Sequence, residues 1–500
     1  TVPDTVKEME GNIFSYCPDL VSATWNYKTV TYRAFAGCGN LTKIVLGAKV
    51  SEINSDAFSG VGFKTYRIPE TVTKVGSYAF SSCPNLEKLT ISKNVKAVPS
   101  YIVSRCENIK KVVIEDGVKS IADYAFANSS ITSISMPSSI TKVGYAAFFH
   151  AEKLVYARIS DSVKKIEDKT FANCYELSKL KIGKSVNQIG ETAFIRCYKL
   201  DKVVIPGSVK KIGYRAFTES GVKSLYISDG VSEIDYWAFC KCPELTSVYI
   251  GKDVSKIRYS AFLQCDKLTK LVVSKENKVY ASKDNVLYSA NMTRLINCSV
   301  TKEGTFTIPA TVSKIYGSSF SKCTKITNFA VEPGNKYFTT ENGILYNTDK
   351  TVLVSCPSGK KGTIKVPSTV KEIADYAFHY SMASYVKLPN GLQKIGYCVF
   401  EYCDKLKQIV IPGTVKSIGC SAFWNCTALK EVEIMNGVTK LPDDVFAGCS
   451  RLEKITVPVS VNSISSTAFR NCNYSIVFYT KKSSYAMKYA TKSYYRYKLI

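Results

Sequence analysis

Eighteen cysteines and only two histidines stand in this chain of 500 residues. Thiols at close spacing can bridge, ligate a metal or attack a substrate, so their pattern comes first. Thirteen of them follow a bulky apolar anchor by three residues: Cys17, Cys38, Cys83, Cys106, Cys174, Cys197, Cys242, Cys265, Cys323, Cys403, Cys426, Cys449 and Cys472. Four anchor-to-anchor intervals are one residue short, starting at Phe58, Phe126, Phe217 and Phe378, and there the slot holds Val61, Ser129, Ser220 and Ser381. A cysteine that vanishes when the turn loses a residue reads as a small group filling that turn. Ala151, after Phe148, is the exception at full length. Stacked slots come about 5 Å apart, within disulfide reach, but with parallel Cβ vectors that disfavour bridging. The reading is a ladder of reduced, inert thiols.

Cys240 and Cys242 form a lone C-x-C with no histidine beside it, too little for a metal site. His150 and His379 lie just after anchors in different coils and can form no His cluster, and a Ser-His-Asp or Cys-His arrangement would need one placed beside a nucleophile. There is no phosphate loop and no HExxH, and the acidic residues are scattered over turns. No catalytic residue, metal or cofactor is expected.

The formal charge is +26, yet only 11 of the 67 basic residues are arginine. Nucleic-acid readers cluster arginine in stripes; here lysine recurs in every repeat, as a solvated surface does. Attraction to polyanions is the second reading of that charge. No apolar run of about eighteen residues is present to span a membrane. The first residues already sit in mid-repeat, so the chain is expected to begin downstream of its natural N-terminus.

What must position these groups is a repeat. Phe14, Phe35, Phe58, Phe80, Val103, Phe126, Phe148, Phe171, Phe194, Phe217, Phe239 and Phe262 are spaced by 22 or 23 residues after a first step of 21. Phe320, Phe378, Phe400, Phe423, Phe446 and Phe469 continue the series. In the unit from Phe194, residues 200–205 alternate and are β-branched, which predicts a short strand. Pro206-Gly207 ends it and removes a ladder donor. Residues 209–212 make a second extended piece, and 213–217 fit one helical turn. One such coil cannot bury its apolar side alone, and stacking at about 4.8 Å makes a continuous core.

The pattern I-P-x-x-V-x-x-I-G-x-x-A-F-x-x-C-x-x-L, legible from residue 2 to 472, resembles the BspA-type leucine-rich repeat family. That resemblance implies a right-handed leucine-rich-repeat solenoid of about 20 coils, mostly β with short helical turns. It also implies a secreted or cell-surface protein that binds or adheres and does no catalysis. The two steps of 58 residues, from Phe262 to Phe320 and from Phe320 to Phe378, read as 23 plus 35. Each is one coil bearing a β-hairpin, at about 274–309 and 332–367. The solenoid is expected over 1–480, and Ala486, Met487, Tyr489 and Ala490 suggest a helical cap over 481–500.

Binding function then falls to the outward strand positions, which stack into columns. The richest stretch holds Tyr156, Arg158, Lys179, Lys181, Lys202, Tyr226 and Tyr249, a composition typical of recognition sites. The expected ligand is an extracellular protein or glycan, met by a monomer, with no nucleic acid. A spacer presenting another module, or charge-driven polyanion binding, are the alternatives. A rival surface is the row Tyr145, Tyr214, Tyr236, Trp237, Tyr259 and Tyr397 just before the anchors, placed to stack on sugar rings or to cover the core edge.

Overall fold

The computed structural model describes residues 1–258 and 260–500. The chain folds as a β-solenoid of about 21 turns, nearly without helix. It divides into two compact units, Thr1–Lys267 with Val272–Lys278, and Leu268–Leu271 with Val279–Ile500.

In the first unit each coil gives one strand to an exposed face. These are β1 (Ser22–Trp25), β2 (Lys43–Leu46), β3 (Thr65–Arg67), β4 (Lys88–Ile91), β5 (Lys111–Ile114) and β6 (Ser133–Ser135). They continue as β7 (Tyr156–Arg158), β8 (Lys179–Lys181), β9 (Lys202–Ile205), β10 (Ser224–Ile227) and β11 (Ser247–Ile250). A second parallel sheet of two-residue strands lies behind, including Lys165–Ile166, Gln188–Ile189, Lys211–Ile212 and Glu233–Ile234. Between the sheets the anchor rings stack coil on coil, with centroids 4.9 Å apart for Phe148 and Phe171 and 4.8 Å for Phe194 and Phe217. The alternation of β-branched and polar residues produces this directly: Val203 and Ile205 point inward and are buried, Lys202 and Val204 outward.

The exposed face is not one continuous ladder. It runs unbroken from β3 to β8 and from β9 to β11, but β2 does not pair with β3, nor β8 with β9. A proline stands at both breaks. The residue that follows the last inward strand position normally donates to the preceding coil, as Glu115 N–H does to Ile91 and Ser228 N–H to Ile205. Pro69 and Pro206 occupy that place after β3 and β9 and have no N–H to give, but Pro137 does so after β6 with the ladder intact, so the missing donor alone does not open the face. At the first break aromatic bulk fills the space: the Phe63 and Tyr66 rings stack at 4.8 Å and both pack on Phe58. At the second no aromatic does so, and Leu180 and Ile182, expected to be buried, are only half-buried.

The helical turn expected at each anchor forms at Phe320, as a short 3-10 helix over Gly317–Phe320, but not at most others. At those others, Phe469 apart, two left-handed residues flank the anchor, as with Thr192 (φ 51°) and Arg196 (φ 58°) around Phe194, or Tyr124 (φ 56°) and Asn128 (φ 55°) around Phe126. A residue with positive φ cannot continue a right-handed helix, so the chain makes two corners instead.

In the second unit two antiparallel hairpins, Tyr280–Lys283 with Val286–Ser289 and Phe338–Glu341 with Ile344–Asn347, elaborate the stack. Each leads into a strand, Arg294–Asn297 or Val352–Ser355, that rejoins a parallel neighbour. Cys298 and Cys356 then stand where other coils have their anchor: Cys298 N–H donates to Ser319 and Cys356 N–H to Ala377 of the next coil. The step from Phe320 to Phe378 therefore divides at Cys356 into 36 and 22 residues, not 35 and 23. Seven parallel strands follow, from Gly362–Lys365 to Arg496–Leu499. Before the last of them lies α1 (Tyr485–Lys492), whose N-terminus is capped by Ser484 accepting from Met487 N–H and whose Ala486 and Ala490 are buried.

Candidate functional site

The cysteines carry more than volume. Eleven of the thirteen ladder thiols donate to the phenylalanine anchor carbonyl of the coil before them, among them Cys174 to Phe148 O at 3.1 Å, Cys197 to Phe171 O at 3.2 Å, Cys403 to Phe378 O at 2.9 Å and Cys426 to Phe400 O at 3.0 Å. The same bond recurs at Cys38, Cys83, Cys106, Cys242, Cys265, Cys449 and Cys472. It also explains Ala151. The carbonyl that a thiol at 151 would serve, on Phe126, already accepts from the Ser129 hydroxyl of its own coil at 2.7 Å. All eighteen cysteines are free thiols. Burial pushes the Cys174 and Cys197 thiols far above their ordinary range, which keeps them protonated donors and poor nucleophiles. Among the described residues no group of three or more His, Cys, Asp or Glu is placed to hold a metal.

One histidine does stand beside a hydroxyl, which the sequence did not show. In the second unit His379 Nδ1 lies 2.7 Å from Ser321 Oγ, and its Nε2 is 3.4 Å from Glu401 Oε2. Fifty-eight residues separate Ser321 from His379, and the small Ser358 turn lies between, its hydroxyl donating to the carbonyl oxygen of His379 at 3.1 Å. The imidazole is buried against Tyr376 and Tyr380. Burial, helped by the charge of Lys322, depresses its pKa to about 3, and among the described residues Nε2 makes no hydrogen bond that would offset the desolvation. A neutral, enclosed ring of this kind ties coils together.

The exposed face of the first unit presents the predicted columns. Tyr156 registers with Lys179, and Arg158 with Lys181, across β7 and β8. Lys202 registers with Ser224, Val204 with Tyr226, and Tyr226 with Tyr249 across β9, β10 and β11. The break between β8 and β9 thus separates the first four residues from Lys202, Tyr226 and Tyr249. The Tyr226 and Tyr249 rings stack at 4.6 Å and 6°, so they offer edges and hydroxyls outward, with one face of each covered.

Some of the surface charges are paired and others are not. Arg67, in the same column, is held by Glu70 and Glu115 at 3.1 and 3.0 Å. On the rear sheet Lys211 pairs with Asp235 at 2.8 Å and Lys256 with Glu233 at 3.2 Å. Arg158, Lys179, Lys181 and Lys202, like Lys43, Lys88 and Lys111 in the same columns, are exposed and, among the described residues, their side chains have no ion pair or hydrogen bond. No Asp or Glu stands in either outward column of β2 to β11, whereas in the second unit Glu431 and Glu433 do, on Glu431–Ile434. The first unit therefore offers an uncompensated cationic strip next to two tyrosine edges.

The rival aromatic row is occupied by its own neighbours. Tyr145 meets Tyr124 edge-on at 5.4 Å and lies under Lys169; Tyr214 meets Trp237 at 5.6 Å with Arg215 over both rings. Arg258 lies over Tyr236, and Tyr397 meets Tyr376. Tyr259 lies outside the described residues. Sequence reasoning missed Tyr78 and Tyr101, which stack at 4.8 Å and lead into Tyr124 at 5.4 Å. These rings brace one another across the coils, while Tyr236 and Tyr397 keep exposed surface.

Among the described residues no helix is long and apolar enough to cross a membrane. None of the curated proteins compared with the chain matches it. Among solved structures, a leucine-rich repeat protein from Bacteroides ovatus is 22% identical over 92% of this chain and 92% of its own, with a TM-score of 0.43. A leucine rich cell surface protein from Faecalibacterium prausnitzii is 23% identical over 91% and 90%, with a TM-score of 0.37. The pneumococcal vaccine antigen PcpA is 20% identical over 83% and 88%, with a TM-score of 0.33. The family described as a BspA type leucine rich repeat region matches residues 1–84, 28–155, 146–269, 293–362 and 355–475. With coils, anchors and cysteine slots in register over nearly its whole length, the chain belongs to the BspA-type leucine-rich repeat family.

Proposed function

We propose that the protein is a non-enzymatic, adhesin-like binding protein of the cell surface or extracellular space, which captures a host or neighbour-cell protein or glycan on the exposed face of its first unit. The observation that carries this reading is the strip of Arg158, Lys179, Lys181 and Lys202, exposed without counter-charge beside the Tyr226 and Tyr249 edges. Some lysines and arginines sit next to an acidic residue of an adjacent coil; here, as at Lys43, Lys88 and Lys111, the cations face solvent and are free to pair with a ligand, and only here do two tyrosine edges lie beside them. Membership of the BspA-type family supports a binding role and a surface location. The enclosure of His379 supports the absence of catalysis, since an imidazole without an exposed side cannot shuttle a proton to a bound substrate. The protein acts as a single chain. Replacing Arg158, Lys181, Tyr226 and Tyr249 together by alanine is the test, with ligand capture as the readout.

A further inference from the structure

The break between β8 and β9 has the form of a missing strand. The N–H of Ile182 has no partner among the described residues, although its equivalents Ile68, Met136 and Ile159 donate to the next coil at 3.0, 3.1 and 2.9 Å. The N–H of Asp201 likewise has none, although Val155, Ser178 and Lys223 donate to the coil before them at 2.8, 3.1 and 2.8 Å. Nearly all Cα–Cα separations between β8 and β9 exceed 8 Å, while most of those between β7 and β8 fall within it. Behind the opening the stack is closed: Gln188 registers with Lys211, and Cys197 reaches Phe171. The opening is therefore a local slot in the exposed face, with two free strand edges. A strand inserted between them needs two inter-strand spacings, about 9.5 Å.

The walls state what would fit. Leu180 and Ile182 are half-buried and offer an apolar floor. Lys179, Lys181 and Arg158 stand outward on one side and Lys202 on the other, unpaired. The acidic side chain at the rim, Asp201, is engaged by Lys223 at 3.8 Å. Alternate residues of an extended chain point to opposite faces, so its apolar side chains would descend to Leu180 while its carboxylates met the lysines.

We propose that the gap between β8 and β9 is a docking slot for an extended acidic segment of a partner protein, which enters as an added strand. This rests on the reading of the exposed face as the binding face and names the chemistry of its ligand.

The test uses hydrogen exchange and a short capped peptide of alternating valine and glutamate. In the free protein the Ile182 and Asp201 amides exchange much faster than those of Ile159 and Ser178, and the peptide protects them. A peptide N-methylated along the edge that donates hydrogen bonds binds about tenfold more weakly or worse. Lys179→Glu with Lys202→Glu abolishes binding while leaving the unfolding midpoint unchanged. Slow exchange at Ile182 and Asp201 in the free protein overturns the slot. So does equal binding of the N-methylated peptide, or of a sulfated polysaccharide that leaves both amides unprotected, since either shows attraction by charge alone. The slot can fail while the face still captures its ligand through Tyr226 and Tyr249; if the quadruple alanine variant keeps that capture, the face itself is wrong.

Discussion

The Cys197 thiol donates to the carbonyl oxygen of Phe171 across 3.2 Å, joining one coil to the next beneath the stacked rings. Without it that carbonyl keeps only the bond from Cys174 N–H at 3.3 Å. Cys197→Ala removes the donor and leaves a small void, and should cost about 1–3 kcal/mol. Cys197→Ser keeps a donor and should cost less than the alanine. Urea midpoints of the three proteins decide it. Ala151→Cys should gain nothing, because Ser129 already serves Phe126 O; in a Ser129→Ala background the same change should become stabilising, a coupling read by a double-mutant cycle.

A buried ladder of protonated thiols is chemically silent until the fold opens. Cys17 and Cys420 are the partly exposed cysteines, and the other sixteen are buried. A thiol reagent should label those two rapidly in the native protein and all eighteen once it is denatured without reductant. A denatured count near zero would mean the ladder is bridged.

His379 gives the fold an acid-sensitive point. Its pKa is about 3 when folded, against about 6.5 for an unperturbed histidine. Between those values the unfolded chain binds the proton and the native chain does not, so stability falls as pH drops through 6.5 and is fully present above it. The loss approaches about 1.4 kcal/mol per pH unit. His379→Gln should flatten the pH dependence of the thermal midpoint between pH 6.5 and 4; an unchanged slope would place the acid sensitivity elsewhere.

The coil was legible because a phenylalanine every 22 or 23 residues is a beat that only stacked, equivalent turns keep, and the cysteine slot because its loss tracks a deletion. The left-handed corners were not legible, since residues as unlike as Tyr78, Thr192 and Trp237 occupy them. Stacking forces that conformation, and local preference does not announce it. The columns of the exposed face followed from strand alternation alone. What separated Arg158 from Arg67 was Glu115, 48 residues from Arg67 and brought to it by two turns of the coil. Leu180 reads like any other core position; its half-burial goes with the open ladder between β8 and β9, which no local pattern announces. Ser321 and His379 meet because a hairpin-bearing coil with a small turn intervenes, a distance no local pattern spans.

Binding by the first unit through Arg158, Lys181, Tyr226 and Tyr249 is tested most directly by one comparison. The wild type and the protein carrying alanine at all four positions are placed on one array of extracellular-matrix proteins and glycans, after matched urea midpoints show both folded. Ligands retained by the wild type at physiological salt should be lost by the variant. An unchanged binding profile would contradict the assignment of this face.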